Sequence, residues 1–112
     1  MRDYGLFLDG AFTGDGAGPT FESLNPFTGR SWARLREASR AEVDAAVAAA
    51  QRAQVKWWRL NGAARAEILH RIADTITAHA PSLAVFESTD NGKIIRETRS
   101  QMLFAARLFR FF

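Results

Sequence analysis

The sequence contains no cysteine, which excludes disulfides, thiolate zinc sites and cysteine nucleophiles from this chain. It also has no uncharged apolar run of about 18 residues or more, the length a membrane-spanning helix needs. The opening residues Met1-Arg2-Asp3-Tyr4-Gly5 show neither the apolar stretch nor the small-residue cleavage site of a secretory signal, so a cytoplasmic protein is the expectation. A basic stripe is missing as well. The formal net charge is +3, but the arginines and lysines are scattered among acids, whereas nucleic-acid binders gather them on one face. Neither nucleic acid nor membrane is an expected partner.

Catalytic constellations are absent too. His70 and His79 lie nine residues apart, which puts them on opposite sides of a continuous helix at about 100° per residue. They cannot share a metal there. No HExxH spacing, EF-hand loop or glycine-rich cradle between a strand and a helix occurs. Gly14, Gly16 and Gly18 lead into an extended segment and not into the helix N-terminus that binds phosphate. Ser82 follows His79 without an orienting acid, so it reads as an early helical residue. No catalytic and no cofactor-binding residue is assigned.

What the sequence does contain is a clear change of periodicity. With 112 residues it suits one domain of modest size. Residues 1–37 read as strands and turns, and 39–112 as helices, an α+β pattern. Asp9-Gly10 tolerates the positive φ angles of a tight hairpin turn and sets Phe7 opposite Phe12. The glycine-rich stretch 14–19 is expected to be a flexible link. Thr20–Leu24 is extended and runs into Asn25-Pro26-Phe27-Thr28-Gly29, where Asn, Pro and Gly each favour a turn. Residues 31–36 alternate like a half-buried return strand.

About four helices are expected after that. Ser39 and Glu42 form a capping box, and Val43, Ala46, Val47, Ala50, Gln54 and Trp57 recur at steps of three and four. Asn61 can cap a second helix whose buried stripe is Ile68, Leu69, Ile72, Ala73 and Ile76. Pro81 ends that helix or opens a short third one with Leu83, Val85 and Phe86, closed by Asp90-Asn91-Gly92. The last begins near Ile94 and is apolar nearly all round, with four phenylalanines (Phe104, Phe109, Phe111 and Phe112) within nine residues. A helix of that kind expects protein on every side. The front end of a larger protein is the expected context.

Five stretches together resemble the aldehyde dehydrogenase superfamily. Leu6-Phe7-Leu8-Asp9-Gly10-Ala11-Phe12 is similar to its F-I-N/D-G-E-W/F opening. Ser23 to Arg30 resembles its V-N-P-A-T-G-E turn, and Ala41 to Ala50 its D-V-D-x-A-V-x-A-A helix. Trp57, Leu60 and Arg65 fall where that family has a W-x-x-L…R pattern. Phe86-Glu87-Ser88-Thr89-Asp90-Asn91-Gly92-Lys93 resembles L-E-T-x-D-N-G-K. The five occur in the family's order and spacing. Gly62, Ala64 and Arg30 depart from the family's usual residues at surface or capping positions, leaving subfamily and substrate open.

The resemblance implies an α/β fold in which residues 1–112 are the outer, N-terminal part of a Rossmann-type cofactor domain. It implies oxidation of an aldehyde to a carboxylic acid with NAD or NADP, in an enzyme that is a homo-oligomer when complete. The family's catalytic cysteine, glutamate and asparagine regions, and its nucleotide-binding turn, lie beyond these residues. The segment alone is therefore expected to be inactive and to bind no cofactor, its partner being the remainder of the enzyme. The resemblance also implies a monovalent-cation site formed by backbone oxygen at Leu24, or Ser23 beside it, and by Asp90. The rival reading is a free-standing helical interaction module with a basic, aromatic tail.

Overall fold

A computed structural model describes residues 1–13 and 18–112. The expected flexible link lies in part, at 14–17, outside the described residues. The chain divides into two compact units, one comprising Met1–Leu24 with Gly29–Arg59, the other Asn25–Thr28 with Leu60–Phe112.

The first unit begins with β1 (Arg2–Tyr4), followed by β2 (Leu6–Leu8) and β3 (Ala11–Thr13). β2 and β3 pair antiparallel with Phe7 opposite Phe12. Asp9 and Gly10 turn the chain with φ of 50° and 81°, the left-handed pair that a two-residue hairpin demands. The Phe7 and Phe12 rings meet edge to face, centroids 5.1 Å apart. β4 (Thr20–Asn25) and β5 (Arg30–Arg36) are neighbours in a three-stranded sheet of order β1-β5-β4. A connection so short returns the chain antiparallel, because a parallel pair needs a long crossover. β1 instead runs parallel to β5, with Asp3 level with Arg34, an addition to the expected hairpins. Tyr4 packs edge-on against Trp32 at 6.3 Å, and Ala33 of β5 is buried.

α1 (Arg40–Arg59) completes this unit. Its capping box forms as expected: the Ser39 N–H donates to the Glu42 carboxylate at 2.9 Å, and the Glu42 N–H donates back to Ser39 Oγ at 3.3 Å. The expected apolar face is only partly covered. Of that face Ala46 is half-buried, whereas Val43, Val47, Ala50 and Trp57 remain exposed; the buried residue of α1, Ala49, lies outside the expected face. Arg52 reaches Asp9 of the β2–β3 turn at 3.0 Å.

The second unit is a helical hairpin of α2 (Gly62–Asn91) and α3 (Ile95–Phe111). Asn61 caps α2, its side-chain oxygen accepting from the Ala64 N–H at 2.9 Å. Two of the four expected helices are one. α2 continues straight through Pro81, although proline removes a backbone donor and crowds the preceding turn. The buried alanines Ala73, Ala80 and Ala84 lie on both sides of Pro81, so packing against α3 supports the helix before and after the lost hydrogen bond. The hairpin core is made of small residues. Ala106 and Thr98 are the buried residues of α3, and Thr98 is the largest fully buried side chain among those described.

Candidate functional site

Asn25–Thr28 and the α2–α3 junction form the most constrained part of the second unit. In the turn, Asn25 Oδ1 accepts from the Phe27 N–H at 2.9 Å, while the Thr28 N–H donates to the Asn25 carbonyl at 3.2 Å. At the junction Gly92 takes a φ of 77° and its N–H closes α2 on the Ser88 carbonyl at 3.0 Å. A Cβ placed on Gly92 would stand 2.8 Å from Pro26 Cγ, closer than such atoms approach. Glycine is required there twice, for the left-handed backbone and for the proline ring against it.

Polar side chains then tie the junction together. Glu87 Oε1 accepts from Lys93 Nζ at 3.2 Å and from Asn91 Nδ2 at 3.3 Å. The same lysine donates to Gln101 Oε1 at 3.1 Å, linking the junction to the first turns of α3. The other Glu87 oxygen is enclosed without a hydrogen-bond partner among the described residues. Thr98 Oγ1 lies 2.9 Å from Ser88 Oγ, and also donates to the Ile95 carbonyl at 3.1 Å. Gly92 was legible as a helix terminator in the sequence. The Lys93–Gln101 and Ser88–Thr98 links were not, because neither spacing carries a local signal.

The two residues expected to hold a cation fall in different units. Leu24 lies in β4 and is exposed; Asp90 occupies the last turn of α2 and is also exposed. Ser23, beside Leu24, accepts a hydrogen bond from the Trp32 indole at 3.2 Å. No group of three or more His, Asp or Glu side chains among the described residues could hold a metal. His70 and His79 are both exposed, and His79 Nδ1 lies 2.9 Å from the Thr75 carbonyl of its own helix.

Helix N-termini are where a dinucleotide pyrophosphate would sit, and those of α1 and α2 already carry side-chain partners. That of α1 is already occupied by the Glu42 carboxylate. The Ser39 backbone N–H, then its hydroxyl and the Arg36 guanidinium at 2.7 Å, hold Glu42 below the ordinary glutamate range. An anion there would meet a fixed negative charge. At α2 the Asn61 side chain takes the donor, and α3, with Ile94 at its N-cap, has no side-chain cap and carries Glu97 in its first turn. The remaining displaced titrations belong to a surface pair: Arg34 Nε donates to Asp3 at 2.7 Å, lowering the aspartate and raising the arginine. That pair ties β1 to β5.

Comparison with known proteins places the chain in a family. The family model described as the aldehyde dehydrogenase family matches residues 12–112. The chain belongs to the aldehyde dehydrogenase family. It is 41% identical over 114 aligned positions to an Acinetobacter baylyi (Z)-2-((N-methylformamido)methylene)-5-hydroxybutyrolactone dehydrogenase, covering 100% of this chain and 23% of that protein. It is 42% identical to acetaldehyde dehydrogenase 2 of Cupriavidus necator, covering 99% of this chain and 22% of the relative. Among solved structures, HpcC from Thermus thermophilus superposes with a TM-score of 0.89 at 38% identity, covering 94% of this chain and 20% of that one. PnpE, solved in complex with nicotinamide adenine dinucleotide, gives 0.88 at 37% identity over 96% of this chain and 22% of its own. The chain thus spans about a fifth of the length of these relatives. The mixed α+β arrangement of strands followed by helices is that of the corresponding segment in Rossmann-type members of the family.

Proposed function

We propose that these 112 residues are a scaffold segment of an NAD(P)-dependent aldehyde dehydrogenase that oxidises an aldehyde to a carboxylic acid. The observation that carries this reading is whole-segment agreement in both sequence and fold, 38% identity at a TM-score of 0.89 over 94% of the chain. The Ser39–Glu42 capping box, the Asn61 cap, the glycine–proline contact and the small-residue helix interface are structural roles that support it. The nucleophilic cysteine that the family's chemistry uses has to come from elsewhere, since this chain has none. NAD or NADP would supply the hydride acceptor, held by residues outside those described. In the complete enzyme we expect a cytoplasmic homo-oligomer whose substrate is an aldehyde. Neither nucleic acid nor membrane would be a partner, and no described helix is long and apolar enough to cross a membrane.

The experiment is an assay of the purified chain with acetaldehyde and with NAD or NADP. No aldehyde-dependent cofactor reduction is expected. Turnover by the isolated chain would overturn the scaffold reading. A free-standing interaction module is not favoured, because the family match runs from residue 12 to residue 112.

A cation site drawing on the Leu24 carbonyl, or that of Ser23, and on the Asp90 carboxylate remains part of the proposal. Its support is chemical: hard cations take carbonyl and carboxylate oxygens. Titration with sodium or potassium chloride should shift the amide resonances of Leu24, Asn25 and Asp90 in the native chain. Asp90→Asn should abolish the shift, and a choline chloride control should show none. Equal shifts with choline would remove the site.

A further inference from the structure

An asparagine side-chain amide is open to attack by the backbone nitrogen of the residue that follows it. Of the three asparagines in the chain, Asn25 precedes Pro26, which has no N–H to lose. Asn61 and Asn91 both precede glycine, whose missing side chain leaves that nitrogen uncrowded. The fold treats these two pairs differently. At the end of α2 the Gly92 N–H donates to the Ser88 carbonyl at 3.0 Å. Both polar atoms of the Asn91 side chain are engaged as well, Oδ1 accepting from the Lys93 N–H at 2.9 Å and Nδ2 donating to Glu87 at 3.3 Å. Gly92 also stands at a φ of 77° against the Pro26 ring. All of these have to give way before the Gly92 nitrogen can reach the Asn91 amide carbon. Gly62 is the first residue of α2, where an N–H has no acceptor within its helix, and it makes no hydrogen bond among the described residues. No atom lies within 4 Å of where a Cβ on it would stand, and Asn61 and Gly62 are both exposed. Asn61 is restrained by two bonds, Oδ1 accepting from the Ala64 N–H at 2.9 Å and its carbonyl accepting from the Arg65 N–H at 3.1 Å. Rotation about Asn61 ψ from 169° breaks only these, at an exposed helix end where local opening costs least.

We propose that Asn61 is a site of spontaneous deamidation, and that the same dipeptide at Asn91 is protected by the fold. Hydroxide removes the Gly62 N–H proton, and the nitrogen forms a bond to Asn61 Cγ. The Cγ–Nδ2 bond breaks, the amide group leaves as ammonia after taking a proton from water, and a five-membered succinimide remains. Water then opens the ring. Attack at Cγ restores the main chain and gives aspartate, whereas attack at the main-chain carbonyl carbon gives isoaspartate, with the chain running through the former side chain. The two products differ at the cap. Aspartate caps a helix as well as asparagine does, and its charge suits a helix N-terminus. Isoaspartate lengthens the backbone by one methylene and moves the carboxylate out of register with the Ala64 N–H, so α2 loses its cap.

The test is incubation of the 112-residue chain in mildly alkaline buffer, followed by peptide mapping in the mass spectrometer with the aspartate and isoaspartate products separated by chromatography. Asn61 should convert about tenfold or more faster than Asn91, because more bonds hold the second site. In concentrated guanidinium chloride, with the fold removed, the two rates should converge. Gly62→Pro should abolish isoaspartate at position 61, since proline lacks the attacking N–H yet suits the first helical position after an extended residue. Amide exchange at Ala64 should quicken in the isoaspartate product and stay slow in Asn61→Asp; equal exchange in the two overturns the loss of the cap. Conversion of Asn91 as fast as Asn61 in buffer overturns the proposal. So does an intact Asn61 in buffer when both sites convert in denaturant, since the cap is then protection enough. A preference for Asn61 that persists in denaturant overturns it too, because the fold is not its cause, as does isoaspartate at position 61 in Gly62→Pro.

Discussion

Gly92 carries two constraints that can be separated by substitution. Gly92→Ala places a side chain at a left-handed φ, which costs roughly 1–2 kcal/mol on its own. The clash with Pro26 adds about 1–3 kcal/mol of overpacking. Introducing Gly92→Ala into a Pro26→Ala background should therefore cost about 1 kcal/mol less than in the native chain, since the offending Cγ is gone. Urea denaturation of the four proteins measures this. Equal costs in both backgrounds would mean that the turn and the helix junction are not in contact. The sequence already marked Asn25–Gly29 and Asp90–Gly92 as turns, from Pro, Asn and Gly preferences. It could not show that one turn rests on the other, because nothing local encodes a contact between segments so far apart along the chain.

At the scale of elements, the capping signals were legible and the tertiary overrides were not. Ser39 with Glu42, Asn61 before Gly62 and Asp9-Gly10 each use side-chain or backbone chemistry completed within a single turn of chain, and each forms as read. Pro81 was read as a boundary because its missing N–H breaks the local pattern, yet the alanine interface with α3 carries α2 through it. β1 escaped notice for the opposite reason. Arg2–Tyr4 is short, polar and exposed, and its partner β5 lies far along the chain. The periodicity of Val43, Val47 and Trp57 identified a face of α1 without saying what covers it.

Two outcomes test these elements. Thr98→Val should destabilise the hairpin by about 1–2 kcal/mol, because it leaves the Ser88 hydroxyl without its partner. Adding Ser88→Ala should recover part of that loss, by removing the stranded group. Thermal or urea unfolding of the single and double variants reads the difference. Glu42 gives a pH signature. Its carboxyl is lowered in the folded chain by the Ser39 hydrogen bonds and Arg36, so its contribution is fully present above the ordinary glutamate range. That contribution fades as pH falls through the lower folded value. Carboxyl-detected NMR titration should find Glu42 protonating below the ordinary glutamate range, and Ser39→Ala should move it back up. No displacement between the two proteins would deny the capping box its charge-stabilising role.

On the scale of the whole molecule, the family was legible from five short motifs in order, and the comparisons bear it out across residues 12–112. Substrate, nucleotide preference and assembly were not legible, because no motif in these residues carries a local signal for them. What the molecule does display is a pair of compact units whose buried apolar side chains are alanines and whose larger apolar residues reach solvent. Side chains such as Phe104, Phe111 and Trp58 are worth most when covered. In isolation the chain should self-associate at high concentration, which sedimentation velocity across a dilution series would reveal. The most direct measurement is aldehyde-dependent cofactor reduction by a chimaera in which residues 1–112 replace the matching segment of Cupriavidus necator acetaldehyde dehydrogenase 2. Activity within about tenfold of the parent enzyme is the expected result. A chimaera that assembles normally but reduces no cofactor would contradict the assignment of these residues as a working scaffold of that family.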